Sequence, residues 1–575
     1  MRLVIGLLVV GGLVAGLMRV ARRGRFAEPE AGGGPGLRRL LEHTLLLAAL
    51  FTATSGVIRL LELALTWERL AGRQAADLAL GLSLTLVGVP SWALLGRVVM
   101  RRLRADAGER AAPTWSLYVV VAGPVSLVAA LVNLVAVGRW LLDVEPDRPE
   151  ALASAVLWSA LWAGHAWLAR HPALNPTGWG PVVYVLAGCG IGLASMSIGA
   201  GGVLRAALDV LYRAVVGPAL ASGPGTDPVR HYGVVLLLGG LVWWWYWLRS
   251  AADGPRTPLW RAYVVFFAVL GGLLTAVIAT AVALHSVLQW YLGAPEAVRA
   301  AVHFEVLPPG LAAVATGAWA WTYHHALLVQ AADSRESQTE RAYRYLVAGV
   351  GLVAAAAGAT VAIMSSLHAL GSSRLASTDP GGRNTVVLAL TLLIVGGPLW
   401  LVFWRRLQVA VRAGPPGERT APARRAYMTL IFGGAGLTAV VCLAVILFVV
   451  FRDLLEQRLD VGVLDELRAA IGLVVTAGGV CAYHWAVHRA DRAAAGPAER
   501  PVPRSILLVS PDGQELADAL AQSTGARVRR LHRLDGAGAT VDPAKVGAAI
   551  LASPHERVLV TVEPDGTVRV IPYED

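Results

Sequence analysis

The feature that most constrains this chain is a recurring pair of apolar helices, each long enough to cross a bilayer. It is cleanest between Arg341 and Gln408, where RAYRYLVAGVGLVAAAAGATVAIMSSLHAL is followed, after a short polar gap, by VVLALTLLIVGGPLWLVFWRRLQ. Apolar runs of about 18 residues or more read as transmembrane helices. Paired runs fall near 40–65 and 78–100, 115–140 and 151–169, 180–204 and 232–248, 260–290 and 307–329, 343–369 and 384–404, and 427–451 and 469–488. With an apolar first segment at residues 3–20, these hairpins give about thirteen crossings.

Composition supports the same reading. Of 575 residues, 56% are hydrophobic and 15% charged, and mean hydropathy is +0.57. Soluble domains carry nearer a quarter charged residues, so the bilayer is the solvent for most of this chain. The expected fold class is an all-α polytopic membrane protein of six repeated two-helix hairpins, with a small soluble α/β domain at its C-terminus. The polar gaps set the boundaries: an N-terminal helix at 1–24, a Gly/Pro-rich linker at 25–36, hairpins at 37–112, 113–172, 173–252, 253–333, 334–414 and 415–494, a linker at 495–504, and the α/β domain at 505–575.

The formal net charge is +11, almost all of it from arginine, since Lys545 is the only lysine. No compact basic arm or aromatic-basic platform stands out, which excludes nucleic acid as an expected partner. Cys189, Cys442 and Cys481 lie in apolar helices without a C-x-x-C pair, the pattern of buried thiols rather than a disulfide or zinc site. Arg19, Arg22, Arg23 and Arg25 follow the first apolar run instead of preceding it, unlike a signal peptide. An uncleaved first helix with its N-terminus outside is expected. The arginine excess in alternate loops then gives N-out, C-in across a plasma membrane.

Repetition is visible in residues as well as hydropathy. Arg261-Ala262-Tyr263, Arg341-Ala342-Tyr343 and Arg425-Ala426-Tyr427 open three hairpins, with Tyr118 and Tyr184 in the corresponding place earlier. Second helices close on aromatics and a base, as in Trp404 with Arg405. After about Pro503 the alternation predicts strands at Ile506–Val509 and Arg527–Leu534, helices at Gln514–Gln522 and Pro543–Ala552, and a hairpin of Val558–Glu563 with Thr567–Ile571 around Pro564-Asp565-Gly566. This is a β-α-β-α-β-β pattern.

The hairpin with an R-x-Y opening and a closing P-L-W-x-x-x-W-R stretch resembles a family of bacterial membrane proteins catalogued as domain of unknown function 5671. Arg341, Tyr343, Tyr345, Pro398, Leu399, Trp400, Trp404 and Arg405 carry the resemblance, with His484, Trp485, His488 and Arg489 a looser match. It covers roughly residues 37–494 and implies architecture without catalytic residues.

Two sets of polar residues are candidates for chemistry. First helices end in a basic residue paired with an acidic or amide one: Arg59 with Glu62, Arg139 with Asp143, Arg205 with Asp209, His285 with Gln289, and Arg452 with Glu456. Converging on one level, these would form an outer-face polar site; taken singly they neutralise one another at the interface. The second set is histidine. Haem or a metal between helices needs two facing imidazoles, and His285, His368, His484 and His488 are the candidates, against interfacial histidines as the ordinary reading. The Trp and Tyr at helix ends, densest at Trp243–Trp247, read as interfacial belts. No nucleophile-base arrangement, phosphate cradle or metal motif points to an enzyme. The expected function is a transporter-like or sensory bundle without a cofactor, in the lipid bilayer. Its alternatives are a haem or metal redox protein and a scaffold that docks a protein partner on the C-terminal domain.

Overall fold

The computed structural model describes residues 33–65, 74–144, 149–216, 227–252, 254–330, 336–371, 380–413, 421–457, 462–494, 503–510, 514–532, 541–553, 555–563 and 565–573. Two compact units divide the chain, Met1–Ala482 and Tyr483–Asp575.

Twelve long helices cover the six expected pairs: α1 Gly33–Leu65, α2 Gln74–Ala105, α3 Pro113–Leu141, α4 Pro149–Leu168, α5 Gly180–Val216, α6 Asp227–Ala251, α7 Pro258–Leu292, α8 Leu307–Gln330, α9 Glu336–Gly371, α10 Pro380–Ala413, α11 Pro422–Leu455 and α12 Val463–Ala494. Eleven are long and apolar enough to cross a membrane. The other, α8, ends its apolar run in Trp319, Trp321, Tyr323, His324 and His325, which lowers its hydropathy. The expected crossing at 1–24 lies outside the described residues, and α1 begins inside the expected 25–36 linker.

Prolines Pro113, Pro258 and Pro422 stand at the first turns of α3, α7 and α11. There the fixed φ suits the helix and the missing N–H costs nothing. Apolar side chains gain little by leaving lipid for one another, so membrane helices close through small residues and polar contacts. A Cβ added to Gly88, Gly239 or Gly396 would lie 2.4, 2.5 and 2.5 Å from the backbone nitrogens of Ala53, Met196 and Ala355. The first, third and fifth hairpins are therefore closed backbone to backbone.

Successive hairpins stack by one rule. The second helix of each packs on the first helix of the hairpin before it: α4 on α1, α6 on α3, α8 on α5 and α10 on α7. For α12 on α9 the contact includes a 3.0 Å hydrogen bond between Thr360 and Thr476.

The C-terminal unit contains a four-stranded sheet in the order β2-β1-β3-β4, with β1 Ser505–Ser510, β2 Arg527–His532, β3 Arg557–Val562 and β4 Val568–Pro572. β1 is parallel to both neighbours and β4 pairs antiparallel with β3, as the β-α-β-α-β-β reading requires. Ile506, Leu508, Val558 and Val560 alternate inward to meet Leu520 of α13 (Gln514–Thr524) and Val546 and Ile550 of α14 (Pro543–Leu551). Asp542 caps α14, its carboxylate accepting from the Ala544 N–H at 2.9 Å, with Pro543 in the first turn. Asp542→Ala is expected to cost about 1 kcal/mol locally. In the full-length protein this appears as roughly fivefold faster amide exchange in α14, with β1 and β3 unchanged.

Candidate functional site at the open end of the bundle

Each hairpin has a loop end, where the chain turns, and an open end, where first helices begin and second helices finish. At the loop end Arg205 keeps its expected partner, Asp209, at 3.5 Å. Arg59 reaches Asp77 across its hairpin at 3.5 Å. Arg452 binds Asp453 and Glu466, each at 2.8 Å. Asp143 follows α3 in the left-handed region, at φ 55°. Glu62, Arg139 and Glu456 are likewise engaged, and the Gln289 carbonyl accepts from Gly293. The ion pairs of Arg59, Arg205 and Arg452 each close within a single hairpin.

The candidate histidines have separate surroundings. His285 on α7 faces the Thr391 hydroxyl of α10 at 3.3 Å. His368 on α9 lies 2.6 Å from Asp465, whose carboxylate also takes Arg468 at 2.6 Å. His484 is buried, and His488 packs near Trp485 with ring centroids 6.3 Å apart. Among the described residues no group of three or more His, Cys, Asp or Glu comes together as a metal-ligand set.

The open end differs from the belt expected there. Trp115, Tyr118, Tyr184, Trp243, Tyr246, Trp247, Trp260, Tyr263, Tyr343, Tyr345, Trp404 and Tyr427 are all buried, whereas Trp92, Trp167 and Trp244 are exposed. Helix-end aromatics therefore divide between lipid and core. The buried rings bond across hairpin boundaries: Trp162 donates to the Tyr246 hydroxyl at 2.9 Å, Trp247 to Tyr323 at 3.2 Å and Trp321 to Tyr343 at 2.9 Å. The Tyr184 and Tyr246 hydroxyls lie 3.1 Å apart. A row of hydrogen-bonded aromatics thus runs from one hairpin to the next.

The row exposes a longer period as well, a unit of four helices made of two hairpins. Pro113-x-Trp115-x-x-Tyr118 opens α3, Pro258-x-Trp260-x-x-Tyr263 opens α7, and Pro422-x-Arg424-x-x-Tyr427 opens α11. Gly88, Gly239 and Gly396 each precede a tryptophan by four residues, Trp92, Trp243 and Trp400. The fourth helix of each unit carries Trp162-x-x-His165, Trp321-x-x-His324 and Cys481-x-x-His484. All three histidines are buried. In the third unit Arg424 takes the tryptophan's place. It is buried, donates to the Tyr345 hydroxyl at 3.1 Å, and lies 5.8 Å from the Trp404 ring centroid.

The Tyr–His pair is joined in the first unit and open in the second. The His165 Nε2 lies 3.3 Å from the Tyr118 hydroxyl, while its Nδ1 donates to the Leu161 carbonyl at 2.7 Å. His324 makes the matching Nδ1 bond to Ala320 at 2.8 Å, but its Nε2 and the Tyr263 hydroxyl have no hydrogen-bond partner. The Trp247 ring packs on both, its centroid 5.5 Å from Tyr263 and 5.1 Å from His324. Four residues after the tryptophan that each unit repeats, the first unit has Gly96 where the second has Trp247. Two π-helical stretches, Trp244–Ala251 and Tyr263–Val269, meet here through Trp247 and Tyr263 and through the Trp260 indole on the Ala251 carbonyl. Such wide turns are frequent at functional sites.

A charge cluster at the open end of the first hairpin was also not anticipated. Buried Glu109 binds Arg38 and Arg39, while Glu42 binds Arg38 and Arg102. Burial would raise the Glu109 carboxyl, but the hydrogen bond from Arg38 and the charge of Arg39 outweigh it and hold the group below the usual carboxylate range.

Fold and row together define a repeat-built helical membrane protein with a small α/β domain. The chain belongs to the family described as Domain of unknown function (DUF5671), whose model matches three times, at residues 39–168, 182–318 and 341–480. Each match begins on the first helix of a four-helix unit, in agreement with the residue repeat. No curated protein and no solved structure matches.

Proposed function

We propose that this chain is a non-enzymatic transporter-like or sensory bundle of the plasma membrane, N-terminus outside, with a cytoplasmic C-terminal domain that regulates it. The observation that carries the reading is the buried polar row at the open end. Polar groups are costly inside a membrane protein and tend to mark the sites where it works. Here indole–hydroxyl bonds cross successive hairpin boundaries, with the imidazoles packed beside them, so an occupant of the row would bias how neighbouring hairpins pack. The loop-end ion pairs, half-exposed and local, support a role at the interface better than one shared binding site.

Screening of detergent-purified full-length protein for ligand-dependent thermal stabilisation tests this reading. A stabilising compound whose effect is lost on substitution in the row is expected. Stabilisation that survives every such substitution overturns it. A second reading, a haem protein, draws on His165 and His324, whose Nδ1–H bonds to backbone carbonyls match the way ligating imidazoles are oriented. A Soret band in the same preparation would establish that reading, and its absence from protein expressed with added haem would reject it.

A further inference from the structure

We propose that the second four-helix unit holds a ligand site between His324 Nε2 and the Tyr263 hydroxyl, and that its occupant is a flat ring bearing a hydroxyl, of the phenol or hydroquinone class. This rests on the reading of the open-end row as the working level of the bundle, and it names the chemistry of that level's occupant.

The first unit is the internal control. There the same two residue types, Tyr118 and His165, satisfy each other at 3.3 Å. In the second unit His324 is 0% exposed and Tyr263 3%, yet neither polar atom has a partner. Buried polar atoms are rarely left so, and each such atom calls for an explanation. Trp247 supplies the physical cause, since its indole packs on both rings in a place that the first unit leaves to Gly96. Trp247 is itself fixed, donating to the Tyr323 hydroxyl at 3.2 Å and stacking on Trp260.

The donor set fixes the ligand chemistry. A carbonyl can only accept, so the Ala320 carbonyl takes the Nδ1 proton of His324, and the neutral imidazole presents a lone pair at Nε2. The occupant must bring an O–H or N–H to it. Tyr263 can donate to or accept from the same group. The rings packed on these two residues are Trp247, Tyr323 and Phe267, which favour a flat uncharged ring by stacking. Access points to the bilayer, because Phe267, which stacks on Tyr263, is 70% exposed on the apolar surface. A hydroxylated ring that partitions into lipid meets all of these conditions.

The test uses full-length protein in lipid nanodiscs, with 2-naphthol as probe and 2-methoxynaphthalene as the match that lacks the O–H. Saturable quenching of tryptophan fluorescence by naphthol is expected, with the methyl ether about tenfold weaker or worse, since a site built to hydrogen-bond a hydroxyl rejects the analogue without it. His324→Phe and Tyr263→Phe should each weaken naphthol similarly, and Trp247→Gly should abolish it by letting the pair close as in the first unit. His165→Phe should leave it unchanged. If the phenylalanine variants fail to fold, His324→Gln and the comparison of the two probes on the unaltered protein still decide. Equal binding of both probes, or no saturable naphthol binding, overturns the proposed ligand class. If another compound then stabilises the protein in a His324-dependent way, the row retains its function and only the phenol class falls. Binding indifferent to His324 and Tyr263 overturns the site itself.

Discussion

Gly396→Ala is expected to destabilise the helical unit by about 1–3 kcal/mol, while Gly397→Ala leaves it unchanged or raises it by up to about 1 kcal/mol. The two glycines are adjacent in one helix, so intrinsic helix propensity favours alanine equally at both. Their surroundings decide the difference. A Cβ on Gly396 would lie 2.5 Å from the Ala355 nitrogen and 2.8 Å from the Gly351 oxygen, whereas one on Gly397 meets nothing within 4 Å. Backbone atoms of a packed helix cannot swing aside as a side chain does, so α9 and α10 would have to separate. The same contrast is expected for Gly239→Ala, which meets the Met196 nitrogen at 2.5 Å, against Gly240→Ala, which meets nothing. Thermal unfolding in detergent reads both pairs, and the expected signature is opposite signs within each. Equal shifts at Gly396 and Gly397 would mean that backbone contact does not close the hairpins.

This zipper explains why the hairpins were legible in the sequence while their packing was not. Apolar runs bounded by polar gaps carry the helix boundaries directly, and the six expected pairs coincide with α1–α12. Which glycine of a pair faces the neighbouring helix is a matter of rotation about the helix axis, and an all-apolar run has no polar face to reveal it. For the same reason Trp243, Tyr246 and Trp247 read like an interfacial belt, although they are core. A tryptophan near a helix end has the same sequence signature whether it meets lipid or another helix. The π-helical turns add to this, since widening the helix brings Tyr246, Trp247 and Ala251 inward together.

The repeat was half legible for a related reason. Arg-Ala-Tyr recurs before Tyr263, Tyr343 and Tyr427 and suggests a two-helix unit. Yet Tyr343 opens the first hairpin of its four-helix unit, whereas Tyr263 and Tyr427 open the second. The Pro-x-Trp-x-x-Tyr signal at Tyr118 and Tyr263, with Arg424 replacing the tryptophan before Tyr427, was in the sequence throughout and marks the longer period. Pairings between helices were out of reach of spacing alone. Glu62 lies one turn from Arg59, but Asp77 lies opposite it once the hairpin closes.

Glu109→Gln is expected to cost about 1–2 kcal/mol, because it leaves Arg39 and half-exposed Arg38, which keeps Glu42, facing a neutral amide. Arg38 and Arg39 sit at the start of α1, and Glu109 lies in the short helix Ala107–Ala111 between α2 and α3. The cluster therefore ties the connection between the first two hairpins back to the helix that opens the bundle. Double substitution of Glu109 with Arg39→Gln should cost less than the sum of the two single changes, since each removes a partner the other requires. The pH dependence has a definite sign. The Glu109 carboxyl is held below its ordinary value of 4.5 in the folded protein. Its stability contribution is therefore fully present above about pH 4.5 and is lost as pH falls through the lower folded value. Between about pH 6 and pH 3, wild-type protein should lose more stability than Glu109→Gln, which has no proton to take up at this position. Parallel stability curves for the two proteins over that range would show that the arginines do not depend on the carboxylate charge, and that the cluster is held by packing alone.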